Sequence, residues 1–249
     1  MFTILYEIHI NIVRAKKQLQ EVTLKEIRIS SFSDFHEVIH RIHTDVGVGI
    51  YRGVRKSDYE LIPSIGRLLP LFIKNGLTKN DLLRDELITF TEFSEKSVSL
   101  TEKIPRNKWE MLALAQHHGL PTRLLDWTRN VLVALYFAVE KFYDTDCAVY
   151  AFRGDDIKVH VPENNQDPLK YPDFVAYSSP HISPRITSQD GLFTLHPRPF
   201  KAFDHDQITK IIIPAGIRKS LKRTLSVYGI HPRSIFPDLD GLLIRQVDI

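Results

Sequence analysis

Gln116-His117-His118-Gly119-Leu120-Pro121-Thr122-Arg123-Leu124-Leu125-Asp126-Trp127-Thr128-Arg129-Asn130 is the stretch on which the reading of the fold turns. Just before and into it, Trp109 to His118 carries Met111, Leu112, Leu114 and Ala115 in a pattern that suits a helix. Gly119 can take the left-handed position at the helix end, and Pro121 stops any continuation. Arg123 to Trp127 then reads as a strand. Leu124, Asp126 and Thr128 share one face of it, and Arg123, Leu125 and Trp127 share the other. Thr128 or Asn130 caps the next helix, Val131 to Val139, which is apolar on nearly all sides and therefore central. Ala134 and Ala138 lie four apart on it, so a neighbouring element can approach closely there.

Working outward, Lys25 to Ile29 reads as a short strand. Ser33 is the expected N-cap of a helix carrying Phe35, Val38, Ile39 and Ile42, which ends near Gly47-Val48-Gly49. Ile50-Tyr51 starts a strand. Lys79 to Phe93 is a helix with Leu82, Leu83, Leu87 and Phe90 inside and Asp81, Arg84, Asp85 and Glu86 outside. Downstream, Ala148 to Phe152 and Ile157 to Val161 read as strands. Five prolines between Pro162 and Pro184 predict a long loop. Phe193 to Leu195 and Lys210 to Ile213 are expected strands. A helix runs from about Ile217 to Tyr228, and a short one follows Pro237. Residues 1–26 read as an N-terminal arm or helix. The elements lack the even strand–helix beat of a doubly wound fold, so the chain reads as one α+β domain.

Composition narrows the function. At 249 residues, 43% hydrophobic and 25% charged, the chain can build a full core and is not mainly disordered. The net charge is +3, from 33 lysines and arginines against 30 acids, too small to imply a nucleic-acid partner. A single cysteine, Cys147, excludes an internal disulfide and a cysteine-rich metal site, and a reducing cytoplasm is the expected location. No apolar run has transmembrane length, so no membrane partner is expected. The apolar start, Met1 to Val13, is interrupted by Glu7, His9 and Asn11 and lacks a leading basic region, unlike a signal peptide. No phosphate-loop lysine, serine elbow, zinc-protease helix or calcium loop is present. Gly47 and Gly49 begin a dinucleotide-like pattern, but Arg52 stands where its third glycine belongs.

Four groups of residues carry enough polarity for chemistry. His36, His40 and His43 share a helical face and could hold a metal, although an exposed polar edge explains the same spacing, and no metal is expected. Arg218, Lys219, Lys222, Arg223 and Arg233 form a basic cluster that suits either a phosphate backbone or a helix C-terminus. Tyr51-Arg52-Gly53, with Tyr59, Pro63-Ser64 and Arg67, offers a guanidinium fork beside a glycine at a strand end, which suits an anion. The passage Ala115 to Thr128 gathers many hydrogen-bonding side chains. It reads equally well as a buried network in which Arg123 pairs with Asp126 or a carbonyl and the histidines cap the helix.

The last two groups resemble the FRG-domain family, named for its aromatic-Arg-Gly signature, here Tyr51-Arg52-Gly53. The likeness continues through Pro63-Ser64, Arg67, Ala115 to Thr128 and Ala134-Leu135-Tyr136-Phe137-Ala138. It then takes in Arg185-Ile186, Gln189, Gly191, Phe193, Thr194 and Phe236-Pro237-Asp238-Leu239-Asp240-Gly241, so it covers residues 27–249. Val131 replaces a usual proline in the first helical turn, a small change.

The order of elements is also similar to that of ADP-ribosyltransferases. That likeness implies a mixed or antiparallel split sheet with inserted helices, and NAD as the substrate. Arg52, with Tyr51, Gly53 and Thr128, would hold the dinucleotide. Asp126, Gln189 and His118 would form the catalytic group: Asp126 facing positive charge on the ribose, Gln189 bonding a ribose hydroxyl, and His118 orienting the ligand or stacking on a base. In those enzymes a glutamate usually occupies the place of Gln189, and a neutral amide cannot counter a cationic sugar. Two functions therefore stand as expectations. One is an NAD-dependent transferase or glycohydrolase with a protein or nucleic-acid target, acting as a bacterial toxin or antiphage effector. The other is a noncatalytic module that binds a nucleotide or nucleic acid.

Overall fold

A computed structural model describes residues 26–42, 49–101, 104–141, 144–153, 157, 159–163, 166–179 and 184–238. The N-terminal arm (apart from Glu26), His43, the Gly47-Val48 turn and the expected helix after Pro237 (apart from Asp238) lie outside these residues. The strands are β1 (Glu26–Arg28), β2 (Gly49–Val54), β3 (Leu124–Thr128), β4 (Cys147–Arg153), β5 (Val159–His160), β6 (Val175–Tyr177), β7 (Gly191–Leu195) and β8 (Ile208–Ile213). The helices are α1 (Phe32–Ile42), α2 (Leu69–Lys74), α3 (Lys79–Ser97), α4 (Lys108–His117), α5 (Val131–Val139), α6 (Pro184–Ser188), α7 (Arg218–Val227) and α8 (Pro232–Ile235). The chain is an α+β domain. No helix among the described residues is long and apolar enough to cross a membrane.

One mixed sheet has the order β1-β8-β4-β2-β3-β7-β6-β5. The outer pairs β1–β8 and β5–β6 are parallel and the rest antiparallel. Its two halves are unequally joined. β2 pairs β4 along its whole length, from Gly49 opposite Arg153 to Val54 opposite Ala148. β2 meets β3 only at Tyr51 opposite Thr128. Beyond that pair the strands part, and the sheet is split down its middle.

Strand alternation distributes the core on either side of this split. Tyr51, Val149, Ala151, Ile211 and Ile213 pack with α1, α5 and α7 on one half. Leu124, Phe193, Leu195, Val175 and Tyr177 pack with α3 and α4 on the other. Ile50, Leu125, Trp127, Tyr150 and Phe152 form the reverse side, closed by Phe174 and Phe203. The helix-turn-strand-helix reading of the central string holds. Gly119 is left-handed at φ 89°, and Asn130 caps α5 by accepting from the Leu132 and Val133 amides.

Several expectations are corrected. The cap of α1 is Ser31 rather than Ser33: its hydroxyl accepts from the Asp34 amide at 3.1 Å. Glu86 is buried, not outside, while Leu87 is exposed. The proline-rich loop holds β6. A short helix that the sequence reading did not contain, α8, lies before Pro237.

Gly53 explains how α5 seats on β2. A Cβ there would lie 1.9 Å from the Ala134 carbonyl oxygen and 2.7 Å from the Ala138 nitrogen. The small residues four apart on α5 thus admit the strand backbone itself, and the absent side chain of Gly53 makes room for a helix rather than a ligand. Gly53→Ala is expected to push α5 from the sheet and cost about 1–3 kcal/mol. A thermal melt checks this; an unchanged midpoint would mean that the helix yields freely.

Candidate functional site

The split opens into a cavity of about 720 Å³. Its floor is the parted backbone of β2 and β3. Its walls come from the segment after β2, the end of α4, α5, and the neighbourhood of α6 and α8. Among the lining residues are Tyr51, Arg52, Gly53, Asp126, Thr128 and Gln189. Of the seven site residues predicted from sequence, His118 is the one not brought to this cavity. It is exposed at the end of α4 and tilts against Phe93, while His117 faces the cavity instead. Successive helical residues point about 100° apart, so the choice between two adjacent histidines depends on where the helix ends.

Arg52 reaches across the gap where a ladder would otherwise continue. Its Nη1 donates to the Asp126 carbonyl oxygen at 2.6 Å and approaches Asp126 Oδ2 at 3.4 Å. The Arg52 side chain is 17% exposed and that of Asp126 57%. The carboxylate therefore faces the cavity and is not buried against Arg123.

Arg123 has a different partner. Its Nε and Nη2 donate to the two carboxylate oxygens of buried Glu86 at 3.0 and 2.6 Å, and Nη1 donates to the Leu169 carbonyl. That bidentate pair fastens α3 to the sheet.

Behind Asp126 stands a chain of fixed polar groups that the sequence reading did not single out. Gln116 Nε2 donates to both oxygens of Asp126 at 3.1 Å. The amide is oriented by the Thr122 hydroxyl, which donates to Gln116 Oε1. The Thr122 amide donates to Ser64 Oγ at 3.0 Å, and the Ser64 hydroxyl donates back to the Thr122 carbonyl oxygen. Pro63-Ser64 thus locks to the central string. The two alternatives for that string both apply, to different residues: Thr122 and Arg123 are structural, and Asp126 is presented.

Thr128 lines the cavity, but its hydroxyl is occupied. It donates to the Gln189 carbonyl oxygen at 2.6 Å and accepts from the Asn130 amide at 2.9 Å. Gln189 Nε2 donates to the Ile235 carbonyl at 3.2 Å. Tyr51 is mostly core, buried against α5.

The cationic walls are not equivalent. Arg55 is paired with Glu140 through Nε at 2.7 Å. Arg185 pairs with Asp238 and lies over the Phe236 ring. Arg67 donates from Nε to the Ile62 carbonyl at 2.9 Å and has no carboxylate within 4 Å among the described residues. Burial, and then the neighbouring Arg52 charge, lower its pKa. His117 is lowered by burial, His118 and Arg185, which favours its neutral form. His196, behind the sheet, is held down to about 3 by burial, with a contribution from Arg52.

The other candidates are placed elsewhere. His36 and His40 are exposed on α1, and among the described residues no three acids, histidines or cysteines gather as a metal site. Arg218 leaves the basic cluster. It is buried and donates to the carbonyls of Ala138, Lys141 and Thr145, where it caps the end of α5.

Residues 48–147 match the family model for the FRG domain. The match contains Arg52, Arg67, Gln116, Asp126 and Thr128 and ends before Gln189. No curated protein and no solved structure matches the chain.

Proposed function

This chain carries an FRG domain, and from that premise we propose that its central cleft binds a phosphate-bearing nucleotide, NAD foremost, and breaks its nicotinamide–ribose bond. The observation that supports this reading is the seating of the Arg52 guanidinium in the split between β2 and β3, in one cavity with Asp126 and Gln189. A guanidinium fork fits phosphate oxygens. Asp126 supplies a fixed anion toward the middle of the cavity, and Gln116 orients it.

In the reaction, the bond between ribose C1′ and the nicotinamide nitrogen breaks, and nicotinamide leaves with the bonding pair. Water or an acceptor nucleophile adds to C1′ and releases its proton. Asp126 stabilises the cationic sugar between these events. Gln189 offers an amide to a ribose hydroxyl.

The alternative is a module that binds the nucleotide without turning it over. It is favoured by the neutrality of Gln189 and by the bonds that Asp126 already accepts from Gln116 and Arg52.

Asp126→Asn separates the two readings. Nicotinamide release is expected to fall by about 10²–10³, with NAD affinity changed little, since charge stabilisation matters most in the transition state. An Asn variant that retains full turnover would remove Asp126 from the chemistry. A wild-type protein that binds NAD but releases no nicotinamide would establish the binding module.

A further inference from the structure

We infer that the ligand of this cleft carries a diphosphate, with Arg52 gripping one phosphate and Arg67 the next. This rests on reading the cleft as a nucleotide site, and it adds which nucleotides that site takes. The two arginines enter from different elements. Arg52 comes from β2, and its hydrogen bonds to described residues all run through Nη1. Arg67 comes from the single helical turn Gly66–Leu68 on the facing wall. Its Nε is tied to the Ile62 carbonyl, so the fork is aimed while both Nη groups remain without a protein partner among the described residues.

The turn that carries Arg67 is rigid. A Cβ on Gly66 would fall 1.9 Å from the Pro199 carbonyl oxygen, so the segment around Pro199 packs directly beneath it. The Ile65 amide donates to the Thr122 carbonyl at 3.2 Å, which docks the same turn on the central string.

Charge accounting selects the ligand. The cations Arg55 and Arg185 are answered by Glu140 and Asp238. Asp126 is already within reach of Arg52, and the remaining lining acids, Asp58 and Glu60, are exposed and form no ion pair with either arginine among the described residues. Two like charges held near each other, one of them without a carboxylate, favour a dianionic group over a monoanion. The cavity is within the range of small-molecule sites and has room for groups on either side of such a bridge.

Calorimetric titration of the full chain with ADP-ribose and with AMP tests this. ADP-ribose is expected to bind the wild-type protein at least tenfold more tightly than AMP. In Arg67→Gln that preference is expected to collapse to under threefold, chiefly through loss of ADP-ribose affinity. Arg67→Lys is expected to recover part of it, because charge returns without the fork. Equal affinity for the two ligands in the wild-type protein, with both lost in Arg52→Ala, would overturn the diphosphate assignment and leave the nucleotide site standing. An unchanged preference in Arg67→Gln, with a native melt, would also overturn it. If neither ligand binds the wild-type protein, the nucleotide reading falls and this inference with it.

Discussion

Arg52→Ala is expected to abolish nucleotide binding while leaving the fold intact. The guanidinium is the group that spans the parted strands, and it is mostly withdrawn from solvent, where a charged hydrogen bond is strong. Truncating one partner of such a pair costs about 2–5 kcal/mol, or about 30-fold to several thousandfold in affinity. The fold should survive because the sheet is held elsewhere: β2 pairs β4 from Gly49 to Val54, and β3 pairs β7 from Leu124 opposite Leu195 to Thr128 opposite Gly191. What is lost are the bonds from Arg52 to the Asp126 carbonyl and to Asp126 Oδ2, worth about 1.5–3 kcal/mol. Calorimetry beside a thermal melt separates the two effects. A variant that unfolds would mark Arg52 as a structural brace for the split. A folded variant with native affinity would remove it from the site.

The largest stability effect is expected at Arg123. Glu86 is 1% exposed and Arg123 6%. Arg123→Met leaves a buried carboxylate without its partner, which costs about 3–5 kcal/mol. The double variant Arg123→Met with Glu86→Leu is expected to recover most of that loss, because an apolar pair removes both desolvation penalties. Equilibrium denaturation of the two single variants and the double variant reads this directly. A double variant no more stable than Arg123→Met would show that the Leu169 carbonyl contact, rather than the ion pair, is what matters.

Local signals made the middle of the fold legible. Gly119, Pro121 and Asn130 punctuate the chain within a few residues of where they act, so α4, β3 and α5 could be read directly. Signals that depend on distant partners failed. Glu86 looks like a solvent-facing acid until Arg123, from a different element, arrives to neutralise it. β6 is three residues long and flanked by prolines, so no periodicity could develop there; Val175 and Ala176 are strand because β7 lies beside them. Arg218 reads as one of a cationic run, yet the carbonyls at the end of α5 draw it inward.

The site divides the same way. Arg52 beside Gly53 was visible as an anion-binding candidate, although the reason for the glycine proved to be α5. No spacing in the chain could bring Arg52, Asp126 and Gln189 into one cavity; the topology β4-β2-β3-β7 does so. Gln116 was part of the quoted string, but its role depends on the turn that brings Asp126 back over the end of α4.

The central claim is that a nucleotide phosphate sits at Arg52 in the split between β2 and β3. A crystal structure of the protein grown with saturating NAD tests it most directly. The expected result is a dinucleotide in the cleft, with phosphate oxygens within hydrogen-bond distance of the Arg52 guanidinium and a ribose facing Asp126. A dinucleotide bound elsewhere, or an empty cleft with Arg52 still on the Asp126 carbonyl, would contradict it.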